Sequence, residues 1–198
     1  MSIAIDAAYV AVDPAAFNSA FGSSYAGEIA LPIWTTTPWT LPASMAVSLH
    51  PELDYVLIEG QGRALVVAQA LAESCVQRFG IDELVILGRC KGSALENQAL
   101  QHPYLDRHVP VILGEHVTTE AGTGAVHTAP AHGQDDFIVG QQYNLEVYNP
   151  VGGNGVYLPE TELFAGQHVL KVNPAIVELL QERGVLLFNE QYEHSYPH

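Results

Sequence analysis

Apolar runs in this chain are never longer than a strand or a short helix. Stretches such as Leu84–Leu87 and Val109–Leu113 are cut off by glycine or proline, of which the 198 residues hold 17 and 12. Nothing approaches the roughly 20 consecutive apolar residues that cross a bilayer. A fold assembled from many short strands and a few short helices is what remains. Hydrophobic residues make up 48% and charged residues 15%, which is globular rather than disordered. A chain of this length buries roughly 70% of its unfolded surface, so one core suffices without staples. Residues 1–198 are therefore expected to form a single domain.

Charge narrows the function. Seven Lys and Arg stand against 22 Asp and Glu, a formal net charge of −15. Seven cations cannot line a broad nucleic-acid surface. Two cysteines, Cys75 and Cys90, exclude a disulfide framework and a cysteine-rich zinc site. They fit a reducing compartment as small buried groups. Met1–Asp6 has neither the basic start nor the apolar stretch of a secretory leader. The expectation is an acidic cytoplasmic domain that does not engage a membrane.

The pattern predicts a strand over Ile3–Val12, then a helix Pro14–Phe21 capped by Asp13. A buried strand follows over Glu28–Trp34, with Ile29, Leu31 and Ile33 on one face, and a loop over Thr35–Pro42. Ala46–Leu49 is a short strand. Tyr55–Ile58 and Arg63–Val67 form a hairpin around Glu59-Gly60-Gln61-Gly62. Ala68–Phe79 is read as a helix stopped by Gly80. Further strands are expected at Leu84–Gly88, Val109–Leu113, His116–Thr119, Gly124–Thr128 and Val185–Phe188. Helices are expected at Asp135–Tyr143 and Pro174–Glu182, with a glycine-rich loop at Asn149–Val156. The class is α+β: a compact β-barrel core with peripheral helices. Neither a dinucleotide fingerprint nor a phosphate-binding loop is present, since GTGAVHTAP lacks the third glycine and the opening helix.

Two loops carry residues with chemistry. The first, Trp34-Thr35-Thr36-Thr37-Pro38-Trp39-Thr40-Leu41-Pro42-Ala43-Ser44, packs four threonine hydroxyls onto a segment stiffened by two prolines. Such a surface suits water and ribose; alternatively the hydroxyls only bond their own backbone. The second runs from Gly122 to Asp136, GTGAVHTAPAHGQDD. A strand end, a proline turn and a helix start bring His127 and Asp136 to one cleft. A carboxylate there binds an ammonium, and a histidine supplies a hydrogen bond, a proton transfer or a wall. Two alternatives stay open. Asp135 or Asp136 only caps the helix, or His127, His132 and Asp136 bind a metal, although their spacing matches no familiar zinc pattern.

Together, WTTTPWTLPAS and GTGAVHTAPAHGQDD resemble the two editing-site segments of isoleucyl-tRNA synthetase, in the same order and at a similar separation. Valyl and leucyl enzymes carry Arg after the second threonine; Thr37 and Trp39 here favour the isoleucyl branch. Asn149-Pro150-Val151-Gly152, Asn154-Gly155 and the terminal His194-Ser195-Tyr196-Pro197-His198 resemble the same family, so the likeness spans nearly the whole chain. The ATP-binding HIGH and KMSKS-type motifs do not occur. The chain thus resembles an editing domain excised from a longer class I synthetase, without ligase activity of its own.

The resemblance implies a compact β-barrel and hydrolysis of valyl-tRNA(Ile), with valyl-adenylate as a further substrate. Catalysis would fall to Thr35, Thr36, His127 and Asp136. Substrate would be bound by Thr35, Thr36, Thr37, Ser44, His127 and Asp136, with Asp136 on the substrate ammonium and His127 beside the amino-acid side chain. Thr35–Thr37 would hold the terminal adenosine and the ester, while Trp39, Thr40 and Pro42 shape the loop. Ser44 stands where the family has Asn, so contact there is lost or made through water. Editing would need no metal or cofactor; ATP and Mg would serve only the parent's core. The implied partners are the 3′ end of tRNA(Ile) carrying valine and the remainder of the parent, the domain itself being monomeric. Its acidity implies weak, salt-sensitive binding to free tRNA. An inert insertion domain, a free-standing deacylase and a metal hydrolase are the competing readings.

Overall fold

The computed structural model describes residues 2–192. His194–His198 lie outside that range. Ten strands and four α-helices follow one another as β1 (Ser2–Ala11), α1 (Pro14–Phe21), β2 (Ile29–Thr35), β3 (Ala46–Leu49), β4 (Asp54–Gly60), β5 (Arg63–Ala68), α2 (Ala72–Arg78), β6 (Ile86–Lys91), β7 (Ala99–Gln101), β8 (His108–Leu113), β9 (Ala125–Thr128), α3 (Gln134–Gln142), α4 (Asn173–Glu182) and β10 (Leu186–Tyr192). A 3-10 turn, Pro38–Ala43, lies between β2 and β3.

The strands form one mixed sheet in the order β6-β4-β5-β2-β1-β7-β8-β3-β9, with β10 also on β1. It is an open sheet, and the expected barrel is corrected accordingly. The cause lies in β1, which is ten residues long. One edge pairs with β2 from Ile5 to Val10. The other takes β10 along Ser2–Ala7 and β7 at Val10 and Ala11. The sheet branches there instead of closing. Such pairings join segments far apart in sequence, and a local pattern does not contain them.

Several elements differ from the expected ones. Helical spacing over Ala68–Phe79 yields only a 3-10 turn at Gln69–Leu71 and α2, because Ala68 belongs to β5. His116–Thr119 is not a strand. The strand expected at Leu84–Gly88 lies further on, at Ile86–Lys91, and the short β7 carried no visible signal. The β4–β5 hairpin turns on Gln61 and Gly62, both at positive φ (54° and 75°), as a two-residue turn of right-handed twist requires.

β2 shows how the sheet prepares the site. Burial on both faces makes all of Ile29–Ile33 inaccessible, not just one side. Pro32 has no N–H to offer a neighbouring strand, and pairing with β5 stops at Ala30. The segment before β9 takes over that edge. The buried Thr123 hydroxyl donates to the Pro32 carbonyl at 2.6 Å, and the Thr123 carbonyl accepts from Ala68 N at 2.8 Å. Gly124 permits the approach: its φ is +85°, and a Cβ there would lie 2.4 Å from the Ala68 Cβ.

A charge pair pins α2 to the sheet. The Arg78 guanidinium donates twice to the fully buried Asp6 carboxylate, 2.9 Å each, and once more to the Gly122 carbonyl at 3.3 Å. Among the described residues no helix is long and apolar enough to cross a membrane. Arg78→Met should leave Asp6 buried and unpaired and cost about 3–5 kcal/mol, read from urea unfolding. Combining it with Asp6→Leu should recover most of that loss, since no uncompensated charge is left behind.

Candidate functional site

Thr35 ends β2, and the chain then turns into the 3-10 segment. The Thr35 hydroxyl accepts from Thr37 N at 3.0 Å and lies 3.3 Å from the Thr37 hydroxyl. Thr36 is half-buried and Thr37 exposed. Some of the threonine hydroxyls therefore do bond their own loop, while Thr36 and Thr37 remain accessible to a ligand.

The loop's carbonyls are tied from outside. Tyr157 O–H donates to Trp39 O. His102 Nε2 bonds Leu41 O at 2.7 Å. Arg107 Nη1 donates to Pro42 O and Ser44 O, 2.9 and 3.0 Å. His102 is itself buried, its Nδ1 accepting from Tyr104 N and Leu105 N, so Nε2 carries the proton. Burial pushes its pKa down to about 3, partly offset by the bond to Leu41. A neutral histidine thus backs the loop. These supports had no signal in sequence, where nine histidines made any one of them anonymous.

The second loop docks on the first. β9 pairs antiparallel with β3, setting His127 opposite Val47. Met45 N donates to Thr128 O at 2.8 Å, Thr40 Oγ1 lies 3.1 Å from His127 Nε2, and the Trp39 and His132 rings meet edge-on at 5.3 Å. Burial pushes His127 down to about 4, with the nearby His132 adding to the effect. It is neutral at physiological pH.

Asp136 lies in the first turn of α3, where the helix dipole favours an anion. It does not cap that helix. Its Oδ2 reaches back to Ala129 N at 3.0 Å, closing the proline turn onto the helix start. Burial raises its pKa, with the Ala129 N–H and His116 pulling the other way. A cation beside this half-buried carboxylate would favour its charged form on the same grounds. Among the described residues no group of three or more His, Cys, Asp and Glu is placed to hold a metal ion.

The structure thus brings Thr40 onto His127 and Trp39 onto His132, with Thr35–Thr37 just before them in the first loop and Asp136 tied to Ala129, two residues after His127. Ser44 is not among them. It is fully buried, and its hydroxyl bonds Tyr9 O–H at 2.7 Å behind the loop. The expected substrate contact is replaced by an anchoring one: a short hydroxyl fits where an amide would crowd. Trp34 is half-buried against Gly122. A cavity of about 810 Å³ lies elsewhere, between β1, Arg63, His102–Asp106 and Arg183–Val185.

A family model described as leucyl-tRNA synthetase, editing domain, matches residues 21–177. The chain belongs to that editing-domain family. Its sequence relatives include isoleucine–tRNA ligases of Alkalilimnicola ehrlichii, 56% identical over 201 residues, and of Shewanella putrefaciens, 57% over 202. Both matches take in 100% of this chain, which spans 21% and 22% of those proteins. Solved structures with the same fold include GlLeuRS-CP1, with a TM-score of 0.72 at 14% identity over 96% of this chain and 100% of that one. The editing domain of the P. knowlesi cytosolic leucyl-tRNA synthetase gives 0.69 at 10%, over 94% and 96%. By sequence the editing domain described here is thus similar to a segment of isoleucine–tRNA ligases, and its fold is shared with editing domains of leucyl enzymes.

Two outcomes follow from the geometry. In this editing domain, Ser44→Asn should lower stability by about 1–3 kcal/mol through overpacking. Ser44→Ala should cost about 1 kcal/mol by unpairing Tyr9 O–H; urea midpoints check both. His102 and His127 bind protons more weakly folded than unfolded, so stability should be full above pH 6.5. It should fall as pH drops toward 4 and then 3. The expected slope is about 1.4 kcal/mol per pH unit for each histidine, measured by denaturation across that range.

Proposed function

We propose that this domain hydrolyses the ester of tRNA(Ile) mischarged with valine, releasing valine and tRNA, with valyl-adenylate as a secondary substrate. The observation that carries the reading is the docking of the neutral, buried His127 onto the threonine loop, nine residues of chain before a half-buried carboxylate held by the Ala129 N–H.

The need for such a site is energetic. One methylene is worth about 1–3 kcal/mol in a pocket, isoleucine against valine being itself the standard case. A second site that accepts only the smaller product removes the remaining error. In this reading the Asp136 carboxylate pairs with the substrate ammonium through the oxygen not facing Ala129. The ammonium also activates the neighbouring ester carbonyl, so no covalent nucleophile is needed. Water adds to the carbonyl carbon, the bond to the ribose oxygen breaks, and the proton passes to that oxygen as the alcohol leaves. Thr35, Thr36 and Thr37 hold the adenosine end so that water and ester meet in line. His127, neutral and wedged against Thr40, is a wall that leaves room for valine and none for the extra methylene of isoleucine.

The tRNA 3′ end and the remainder of a parent synthetase are the partners in this reading. ATP and Mg would belong to that parent, the reaction would take place in the cytoplasm, and the domain would be monomeric. An acidic domain then receives only a single-stranded end, while the parent grips the tRNA body.

Deacylation of valyl-tRNA(Ile) and isoleucyl-tRNA(Ile), by this chain and by a full-length ligase carrying it, tests the proposal. Valine should be lost at least about tenfold faster than isoleucine, in keeping with one methylene of discrimination. Asp136→Ala should abolish that loss. Equal rates for the two esters, or full activity in Asp136→Ala, would refute the reading.

A further inference from the structure

Thr40 occupies an unusual position in this site. Its Oγ1 lies 2.8 Å from the carbonyl oxygen of Thr37 and 3.1 Å from His127 Nε2. A carbonyl has only lone pairs to offer, and two oxygens at 2.8 Å with no proton between them repel. The single hydroxyl proton of Thr40 therefore points at Thr37 O. Toward His127 the same oxygen has only a lone pair, so the proton on that contact must come from the ring. His127 is then protonated on Nε2 and bare on Nδ1.

Nδ1 has no hydrogen-bond partner among the described residues, although its solvent access is closed off. Burial keeps the ring neutral down to about pH 4, so this nitrogen does not gain a proton at working pH. Buried polar atoms are almost always paired, and a bare buried acceptor on the histidine that the threonine loop holds implies a donor that arrives with the ligand as the two loops close on it.

We propose that Thr40 is a positioning residue: it relays the Thr37 carbonyl to His127, locks the Nε2–H tautomer, and thereby presents Nδ1 as an acceptor for an N–H or O–H of the bound aminoacyl-adenosine end. The proposal rests on the editing reading for the nature of the ligand, but not for the tautomer. It also gives the prolines a purpose. Pro38 and Pro42 bracket the turn that holds Thr40 above Thr37, and His102, through Leu41 O, fixes the adjacent peptide. The chain of contacts runs from a buried histidine behind the loop to the histidine in the site.

Long-range ¹⁵N NMR of the imidazoles in this chain reads the tautomer directly. In the wild type the downfield, unprotonated nitrogen of His127 should be Nδ1. Thr40→Ser keeps the relay and should keep that spectrum and most of the deacylation rate. Thr40→Val removes it and should populate the Nδ1–H form, with kcat down by about 100-fold and KM little changed. A non-hydrolysable amide analogue of valyl-adenosine should move Nδ1 upfield. Adenosine alone reproducing the shift assigns the donor to a ribose hydroxyl; valinamide reproducing it assigns the ammonium. An Nδ1–H tautomer in the wild type, or unchanged kcat and spectrum in Thr40→Val, would overturn the proposal. So would an analogue that shifts the Asp136 loop and leaves Nδ1 unmoved. Should Thr40→Val not fold, the wild-type and Thr40→Ser spectra still decide. If wild-type protein shows the Nε2–H form but hydrolyses neither ester, the editing reading fails while the tautomer assignment stands.

Discussion

A backbone segment that belongs to neither a helix nor a strand must still satisfy its carbonyls, and the threonine loop does so only with help from elsewhere. Two prolines remove its own donors, and a 3-10 turn supplies too few bonds of its own. Tyr157, and His102 and Arg107 from the turn between β7 and β8, complete the set. Buried or half-buried donors of this kind make the loop rigid, because moving it leaves several groups unpaired at once. The fold around it is largely the means of delivering those donors. β7 and the turn after it bring His102, the approach to β8 brings Arg107, and the irregular stretch before α4 brings Tyr157.

The same logic connects the loop to its partner. β3 lies between β8 and β9, so the segment leaving the 3-10 turn pairs directly with the strand that carries His127. Sheet register, rather than any side-chain attraction, sets the distance between the two loops. The side chains then refine it: Thr40 on His127, Trp39 on His132, Asp136 on Ala129. At the far end, Arg78 joins Asp6 of β1 to Gly122, so the start of the second loop is anchored to the strand on which the sheet branches. Burial leaves both His102 and His127 neutral, so neither brings a charge to the packing of the two loops.

Much of this was legible locally. Asp13 and Pro14 marked the start of α1, and Asp13 does accept from Ala16 N. The β4–β5 hairpin, β8, α3 and α4 lay close to where periodicity placed them. The residue types of the two loops single them out in the sequence, with the backbone-bonding alternative left open for the threonines, and the Thr35 hydroxyl does bond within its own loop. The failures were long-range. No local pattern shows that β1 has three partners, so the many short strands suggest a barrel where the sheet is open. Ser44 read as a polar contact in a polar string, yet Tyr9, thirty-five residues away, takes its hydroxyl into the core. Thr40 does bond within its own loop, as a loop-shaping residue would, but its contact with His127, 87 residues away, has no local signal. His102 and Arg107 looked like ordinary residues of a connecting segment.

In the proposed function the two loops already form one site, built around Thr35–Thr37, His127 and Asp136. A crystal structure of this chain with a non-hydrolysable valyl-adenosine analogue tests that most directly. The ammonium should lie within hydrogen-bond reach of Asp136, the valine side chain against His127 and the adenosine on the threonine loop, with His102, Arg107 and Tyr157 unmoved. Density for the analogue in the 810 Å³ cavity beside Arg63 and Arg183 instead, with the two loops empty, would contradict it.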